Sequence, residues 1–275
     1  MRTECSSTYA GALSHDAPIV FVHGSLSSSR IWEPYAAAFS ARESIAIDLP
    51  GYGDEPAWPA QAEYRLHDAA SSIRRTLKGR SEPVDMVAHS FGGAVALRYA
   101  LDNPISVRTL TLIEPSWFGV LRDLGPKARP ALKAIRGIGG GFEEIATDDG
   151  RLFAMGRFVD YWNGRGIWSE LPRHRQEMLA LKSDQIRRDF EAIFSERLRL
   201  AAFRHLSIPT LIVTGTTSPA AALFVAEALT RATPFVSCVS VPGAGHTLPV
   251  THPADLIGIL RPRLEIEARP MLRAA

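Results

Sequence analysis

"VDMVAHSFGGAVALRYA", residues 84–100, decides how the rest of the chain is read. Val84–Ala88 is a short apolar run of the kind that forms a buried strand, and from Phe91 onward the chain reads as a helix. Ser90 stands at the change of direction, with small residues at Ala88, Gly92 and Gly93. This is the strand–turn–helix pattern G-x-S-x-G of a nucleophile elbow, with alanine replacing the first glycine. The pattern has a steric reason. The serine occupies a strained bend, so the residues two positions to either side must be small. The bend lifts the Ser90 hydroxyl above the strand end. It also turns the Phe91 amide and the helix N-terminus toward any negative charge that develops there. His89 is adjacent in sequence, but neighbouring side chains diverge on such a turn, so it is read as structural.

Working outward, further apolar runs bounded by turn residues predict strands at Ile19–Val22, Ser44–Ile47, Leu110–Ile113, Thr210–Thr214 and Val236–Val241. Helix-length stretches lie between most of them, at 64–78, 91–101 and 219–230. Short strands alternating with amphipathic helices predict an α/β fold with a mostly parallel sheet flanked by helices on both faces. The rhythm fails once, over roughly ninety residues between Pro115 and Ile208, too many for an ordinary connection. The expected organisation is a core of 1–115 and 208–275, interrupted by a mainly helical cap over 116–207. Within it, "RGIGGG" (136–141) lacks the preceding strand and the spacing of a nucleotide-binding loop and is read as a flexible connector. "FVDYWNGRGIW" (158–168) is an aromatic cluster. Trp117, Tyr161 and Trp162 are the candidates to line a substrate pocket, although packing of cap on core accounts for such a cluster equally well.

Two further stretches supply the chemistry that a serine nucleophile needs. "PIVFVHGSLSSSRIW" (18–32) is a strand ending in His-Gly. Gly24 allows a sharp turn after which the amide of Ser25 pairs with that of Phe91 as an oxyanion hole. His23 is read as a buried anchor of this loop. In "VPGAGHTLPVTHPADLIGIL" (241–260), His246 follows a strand and a glycine-rich turn, and there it can serve as general base and acid toward Ser90. His252 competes less well, because "THPAD" has the look of a helix start with Pro253 in the first turn.

Composition excludes several classes. The 275 residues carry a net charge of +2 with 22% charged and 46% hydrophobic residues, enough for one sizeable core. Nucleic-acid binding is not expected, since the arginines of 173–204 are interleaved with acids and read as a solvated helical face. No apolar run approaches a membrane span, and residues 1–18 contain no apolar signal segment, so a cytoplasmic protein without membrane contact is expected. Cys5 and Cys238 lie far apart and show no metal-type spacing. No metal and no cofactor are expected. The expected partner is a small-molecule substrate, and a homo-oligomer stays open.

Taken in order, "HGS", "DLPGYG" (48–53), "AHSFGG", "PGAGH" and the trailing helix resemble the α/β-hydrolase superfamily of the capped, small-molecule serine hydrolase type, from about Pro18 to Arg261. The resemblance implies the fold and not the substrate. It implies an abbreviated N-terminal hairpin, because only residues 1–17 precede the first strand. For Asp48 it implies a loop-organising role. It also exposes a gap: where relatives carry an aspartate after the Thr210–Thr214 strand, this chain reads "GTTSP" with Ser218 at that position. Glu114, at the end of the Leu110–Ile113 strand in "LIEP", is the substitute expected to orient His246, as in several haloalkane dehalogenases. The order Ser90, Glu114, His246 fits the superfamily. Asp54 and Asp255 are weaker alternatives, the latter read as a helix-entry residue.

The expected activity is hydrolysis of an ester, thioester, lactone or related activated carbonyl through an acyl-enzyme. A C–C bond hydrolase or cofactor-free lyase or cyclase of the same fold remains an alternative, as does a non-catalytic binding protein.

Overall fold

The computed structural model describes residues 17–265 except 144 and 146. The abbreviated hairpin and Cys5 therefore lie outside the described residues, while Cys238 is a free, exposed thiol.

Six apolar runs become six strands: β1 (Ile19–Val22), β2 (Ser44–Ile47), β3 (Val84–His89), β4 (Val107–Ile113), β5 (Thr210–Gly215) and β6 (Val236–Val241). They form one parallel sheet in the order β2-β1-β3-β4-β5-β6. Burial follows position: β1, β3 and β5 are buried throughout, whereas edge strands β2 and β6 include exposed residues. This is the burial expected of a sheet covered on both faces. Within a strand, successive side chains go to opposite sides. Val20, Val22, Met86, Ala88, Leu110, Leu112 and Ile212 enter one core. Ile19, Phe21, Val87, Ile113, Leu211 and Val213 enter the other, against Trp32, Tyr35 and Leu256.

The first crossover runs from β1 outward to β2, and all later ones run the other way from β3. The carboxyl ends of β1 and β3 therefore flank the point where the order reverses, the usual ligand crevice of such sheets. Register aligns those ends: Val22 sits beside Ala88, Ala88 beside Leu112, and Ile113 beside Val213. The residues just beyond them, including Ser25, Ser90, Glu114 and Ser218, consequently gather at one edge of the sheet.

The longer helices are α1 (Ser90–Asp102), α2 (Arg129–Gly140), α3 (Asp148–Asn163), α4 (Ser183–Ser195), α5 (Ala220–Ala232) and α6 (Pro253–Leu264). The 64–78 stretch breaks into two short helices, Leu66–Ala69 and Ser71–Thr76. No strand occurs among the described residues between β4 and β5, where α2, α3 and α4 form a helical insertion. One expectation fails there. "RGIGGG" is no flexible connector, since most of it forms the last turns of α2. The glycines do not end the helix because packing outweighs their low propensity. A Cβ at Gly139 would lie 2.9 Å from the Phe194 ring and 3.0 Å from that of Phe190, so the glycine admits α4 at close range. No helix among the described residues is long and apolar enough to cross a membrane.

Candidate active site

Ser90, His246 and Glu114 form one continuous hydrogen-bonded chain. The Ser90 Oγ lies 2.8 Å from His246 Nε2, and His246 Nδ1 lies 2.6 Å from Glu114 Oε2. A carboxylate opposite Nδ1 fixes the proton there, which leaves Nε2 bare to accept from the serine hydroxyl. All three side chains are buried: Glu114 fully, His246 and Ser90 nearly so.

Backbone conformation matches this concentration of function. Among the described residues only Leu26, Ser90 and Glu114 are non-glycine residues with positive φ, at 57°, 53° and 47°. Each costs on the order of 1–3 kcal/mol and persists only where the surroundings hold it. At Ser90 the holding is steric. A Cβ on Gly92 would stand 2.1 Å from the His23 carbonyl oxygen, so glycine is required for the helix to leave the strand so abruptly. At Glu114 it is hydrogen bonding. The backbone amide donates to Val213 O at 2.9 Å, and Oε1 accepts from the Gly215 amide at 2.8 Å and from the Ser218 hydroxyl. Burial alone would push this carboxyl upward, but the bonds from His246, Gly215 and Ser218 outweigh it and hold Glu114 below the ordinary carboxylate range.

Ser218, the residue at the vacant aspartate position, is thus a donor to the carboxylate that arrives from β4. Asp54 and Asp255 are not in the chain: the Asp54 amide donates to Asp48, and Asp255 sits in the first turn of α6. Asp48 also accepts from the Ser29 amide at 2.6 Å, tying together the loops after β1 and β2. His23 Nδ1 donates to Gly24 O at 2.7 Å and Nε2 accepts from the Leu49 amide at 3.1 Å. Burial lowers its pKa, so it stays neutral and anchors the loop.

Ser25 lines the space before Ser90, and Phe91 follows Ser90 directly in the chain. The Phe91 amide belongs to the first turn of α1, where no intrahelical acceptor exists. The Ser25 amide has no acceptor among the described residues. The Ser25 side chain does not face that space freely, because its hydroxyl donates to Asp189 Oδ2 at 2.5 Å.

A cavity of about 180 Å³ opens here, with Leu26, Ile31, Phe158, Val159 and Val250 supplying much of its apolar wall. Of the three aromatic candidates only Trp162 lines it. Its indole stacks on the His246 imidazole with centroids 3.8 Å apart and planes 26° from parallel. Tyr161 follows one position earlier on α3 and so points about 100° away. It lines a separate depression with Phe153 and Trp168. Trp117 is buried in the turn after β4, edge-on to Phe203 at 5.2 Å. A larger depression of about 640 Å³, bordered by Arg65, Arg98 and Glu196, shares no lining residue with the Ser90 cavity.

Ser116 and Asp189 escaped the sequence reading, while His89, read there as structural, makes a specific contact. Ser116 Oγ lies 3.3 Å from Ser90 Oγ, and its amide donates to Ser90 O at 3.0 Å. His89 Nε2 donates to the backbone carbonyl of His246 at 2.8 Å, so the residue beside Ser90 steadies the loop that carries His246. Burial lowers its pKa to about 3 and keeps it neutral. Asp189, on the insertion, reaches the loop after β1. Among the described residues no group of three or more His, Cys, Asp or Glu could hold a metal ion.

A buried serine hydroxyl aimed at a histidine that a carboxylate orients can deliver an alkoxide-like nucleophile to a carbonyl. Comparison with known proteins agrees with that chemistry at the level of family. The sequence profile of the "Alpha/beta hydrolase family" matches residues 19–259. The "Probable lysophospholipase BODYGUARD 1" of Arabidopsis thaliana is 34% identical over 110 residues, covering 37% of this chain and 23% of that protein. The match thus spans far less than two thirds of the length of these plant relatives. The 2-(acetamidomethylene)succinate hydrolase of Mesorhizobium japonicum is 25% identical over 241 residues, covering 83% of this chain and 81% of that one. An alpha/beta hydrolase enzyme from a Medee basin deep-sea metagenome library has the same fold, with a TM-score of 0.74 at 18% identity over 96% of this chain and 94% of that one. By its profile and its parallel sheet, the chain belongs to the alpha/beta hydrolase family.

Proposed function

We propose that the protein hydrolyses uncharged esters, thioesters or lactones of short acyl groups through an acyl-enzyme on Ser90. The hydrogen-bonded chain Ser90–His246–Glu114 carries this reading. Ser90 Oγ attacks the carbonyl carbon while its proton passes to His246 Nε2. Glu114 stabilises the resulting imidazolium and keeps its Nδ1 proton in place. The carbonyl oxygen, now negative, accepts from the amides of Ser25 and Phe91. Collapse of the tetrahedral species expels the alcohol, which takes the proton from His246. Water, deprotonated by the same imidazole, then releases the acid and frees Ser90.

The helical insertion acts as a cap that limits substrate size. A cavity of about 180 Å³ is smaller than the 300–1,000 Å³ typical of sites for drug-sized ligands. Its described lining contains no lysine or arginine, so a carboxylate on the acyl part would be buried without a partner. This separates the chain from the relative whose name specifies a succinate.

The test is a series of p-nitrophenyl esters from acetate to decanoate, with fluorophosphonate labelling. Short esters should be turned over best, Ser90 should be the labelled residue, and Ser90→Ala should abolish both. Absence of labelling and of turnover across the series refutes the reading; a preference for decanoate or for dicarboxylic esters refutes its substrate class.

A further inference from the structure

Asp189 is a buried ionisable side chain that the mechanism does not use. It lies on α4 and is 1% exposed. Its Oδ2 accepts from the Ser25 hydroxyl and from the Tyr52 hydroxyl, each at 2.5 Å, and its Oδ1 accepts from Gln185 at 3.0 Å. Gln185, Arg188 and Asp189 stand at i, i+3 and i+4 and so share one face of the helix. Arg188 departs from the solvated face expected of this arginine-rich stretch. Its guanidinium donates to Pro59 O at 3.0 Å and Ala62 O at 3.1 Å and lies over the Tyr64 ring. One turn of the insertion therefore grips the loop after β1 and two points of the chain after β2.

This grip is not a cheap way to fasten a helix. Burial pushes the Asp189 carboxyl up to about 7 even though Ser25, Tyr52, Gln185 and the charge of Arg188 all pull it down. Apolar packing would join the two parts without that cost. What the carboxylate holds is specific: Ser25 immediately precedes Leu26, whose positive φ must be enforced by its surroundings.

We infer that Asp189 is a positioning residue for oxyanion stabilisation, holding the loop after β1 so that the Ser25 amide faces the carbonyl oxygen of the substrate. The inference rests on the acyl-enzyme reading of Ser90. It makes the placement of the insertion a condition of transition-state binding as well as of pocket shape. Oxyanion contacts act in the transition state, so their loss lowers kcat and leaves KM nearly unchanged.

The experiment compares full-length wild type, Ser25→Ala, Asp189→Leu, Asp189→Asn and Ser25→Ala/Asp189→Leu on p-nitrophenyl acetate, with active sites counted by fluorophosphonate labelling. Ser25→Ala keeps the amide but frees it from the carboxylate, while asparagine keeps an acceptor oxygen at the same place. Ser25→Ala and Asp189→Leu should lower kcat per labelled site by about 10- to 100-fold, the scale of a misplaced group, with KM within about threefold. Asp189→Asn should recover to within about threefold of wild type, and the double variant should fall no more than about twofold below Asp189→Leu, as expected for groups acting through one contact. Ser25→Ala at wild-type kcat overturns the inference, and that variant decides the matter even if Asp189→Leu does not fold. An Asp189→Leu loss confined to KM or to the count of labelled sites overturns it too. Wild type that neither labels nor turns over esters refutes the acyl-enzyme reading instead.

Discussion

Replacing Glu114 by glutamine exchanges one oxygen for an amide nitrogen, and the donors around the carboxylate decide where that nitrogen must go. Oε1 receives the Gly215 amide at 2.8 Å and the Ser218 hydroxyl. The hydroxyl can rotate, but a backbone amide cannot, and an NH2 group placed there would face a fixed donor at a cost of about 1–3 kcal/mol. The glutamine oxygen therefore stays at the Oε1 position, and its NH2 turns toward His246 Nδ1, 2.6 Å from Oε2 in the native chain. Nδ1 then becomes an acceptor, the imidazole proton moves to Nε2, and Nε2 can no longer take the proton of Ser90. This wrong-tautomer state, together with the lost charge, should lower kcat about 10⁴-fold, equivalent to about 5 kcal/mol of barrier. Steady-state hydrolysis of a short p-nitrophenyl ester measures it, with a thermal melt to show that the fold persists. Ser218→Ala is the comparator, since it deletes one donor and leaves the His246 contact, and should cost less than about tenfold. A Glu114→Gln enzyme within tenfold of wild type, or one no worse than Ser218→Ala, refutes Glu114 as the orienting acid.

Other outcomes follow from the same geometry. Trp162→Leu removes the indole face from the imidazolium formed during the reaction, a contact worth ~0.5–2 kcal/mol, so kcat should fall by roughly 3- to 30-fold while Trp162→Phe retains most activity; equal losses in the two variants would count against stacking. Gly92→Ala sets a methyl 2.1 Å from a backbone oxygen and should destabilise by at least about 2 kcal/mol, seen as a melting temperature lower by at least ~4 °C; an unchanged melt contradicts the close approach. Asp189 has a folded pKa of about 7 against an ordinary 3.8, so the native state holds its proton where the unfolded chain has released it. Its effect is thus a loss of stability as pH rises between those values, approaching about 4 kcal/mol above pH 7. Urea melts of wild type and Asp189→Asn at pH 5 and pH 8 measure it: the asparagine variant should gain relative stability at the higher pH, and parallel curves would reject the shift.

What was legible in the chain was whatever local pattern dictates. Six apolar runs between turn residues became the six strands, and Ser90 and His246 stood out because their turns demand particular small neighbours. Glu114 was legible as a carboxylate at the end of a strand whose partner strand lacked one. The harder features depend on contacts distant in sequence. Nothing near Trp162 distinguishes it from Tyr161, because only the rotation of α3 about its axis decides which ring reaches His246. Nothing around "IRRDF" marks Asp189 as buried, since a run of alternating charges normally faces water. "RGIGGG" misled for the opposite reason: its local signal to break a helix was real, and tertiary packing on Phe190 and Phe194 overrode it.

Leu26, Ser90 and Glu114 share the left-handed backbone region, and they follow three different strands at one sheet edge. For an L-residue that region costs about 1–2 kcal/mol, which glycine would largely relieve. Variants selected only for heat resistance would therefore be drawn toward glycine at Ser90 and Leu26, whereas at Glu114 glycine would forfeit the bonds to His246, Gly215 and Ser218. Such variants would gain thermal tolerance as the loops relaxed out of their working shapes. A screen that scores survival on heating without scoring turnover would erode this site from two directions at once.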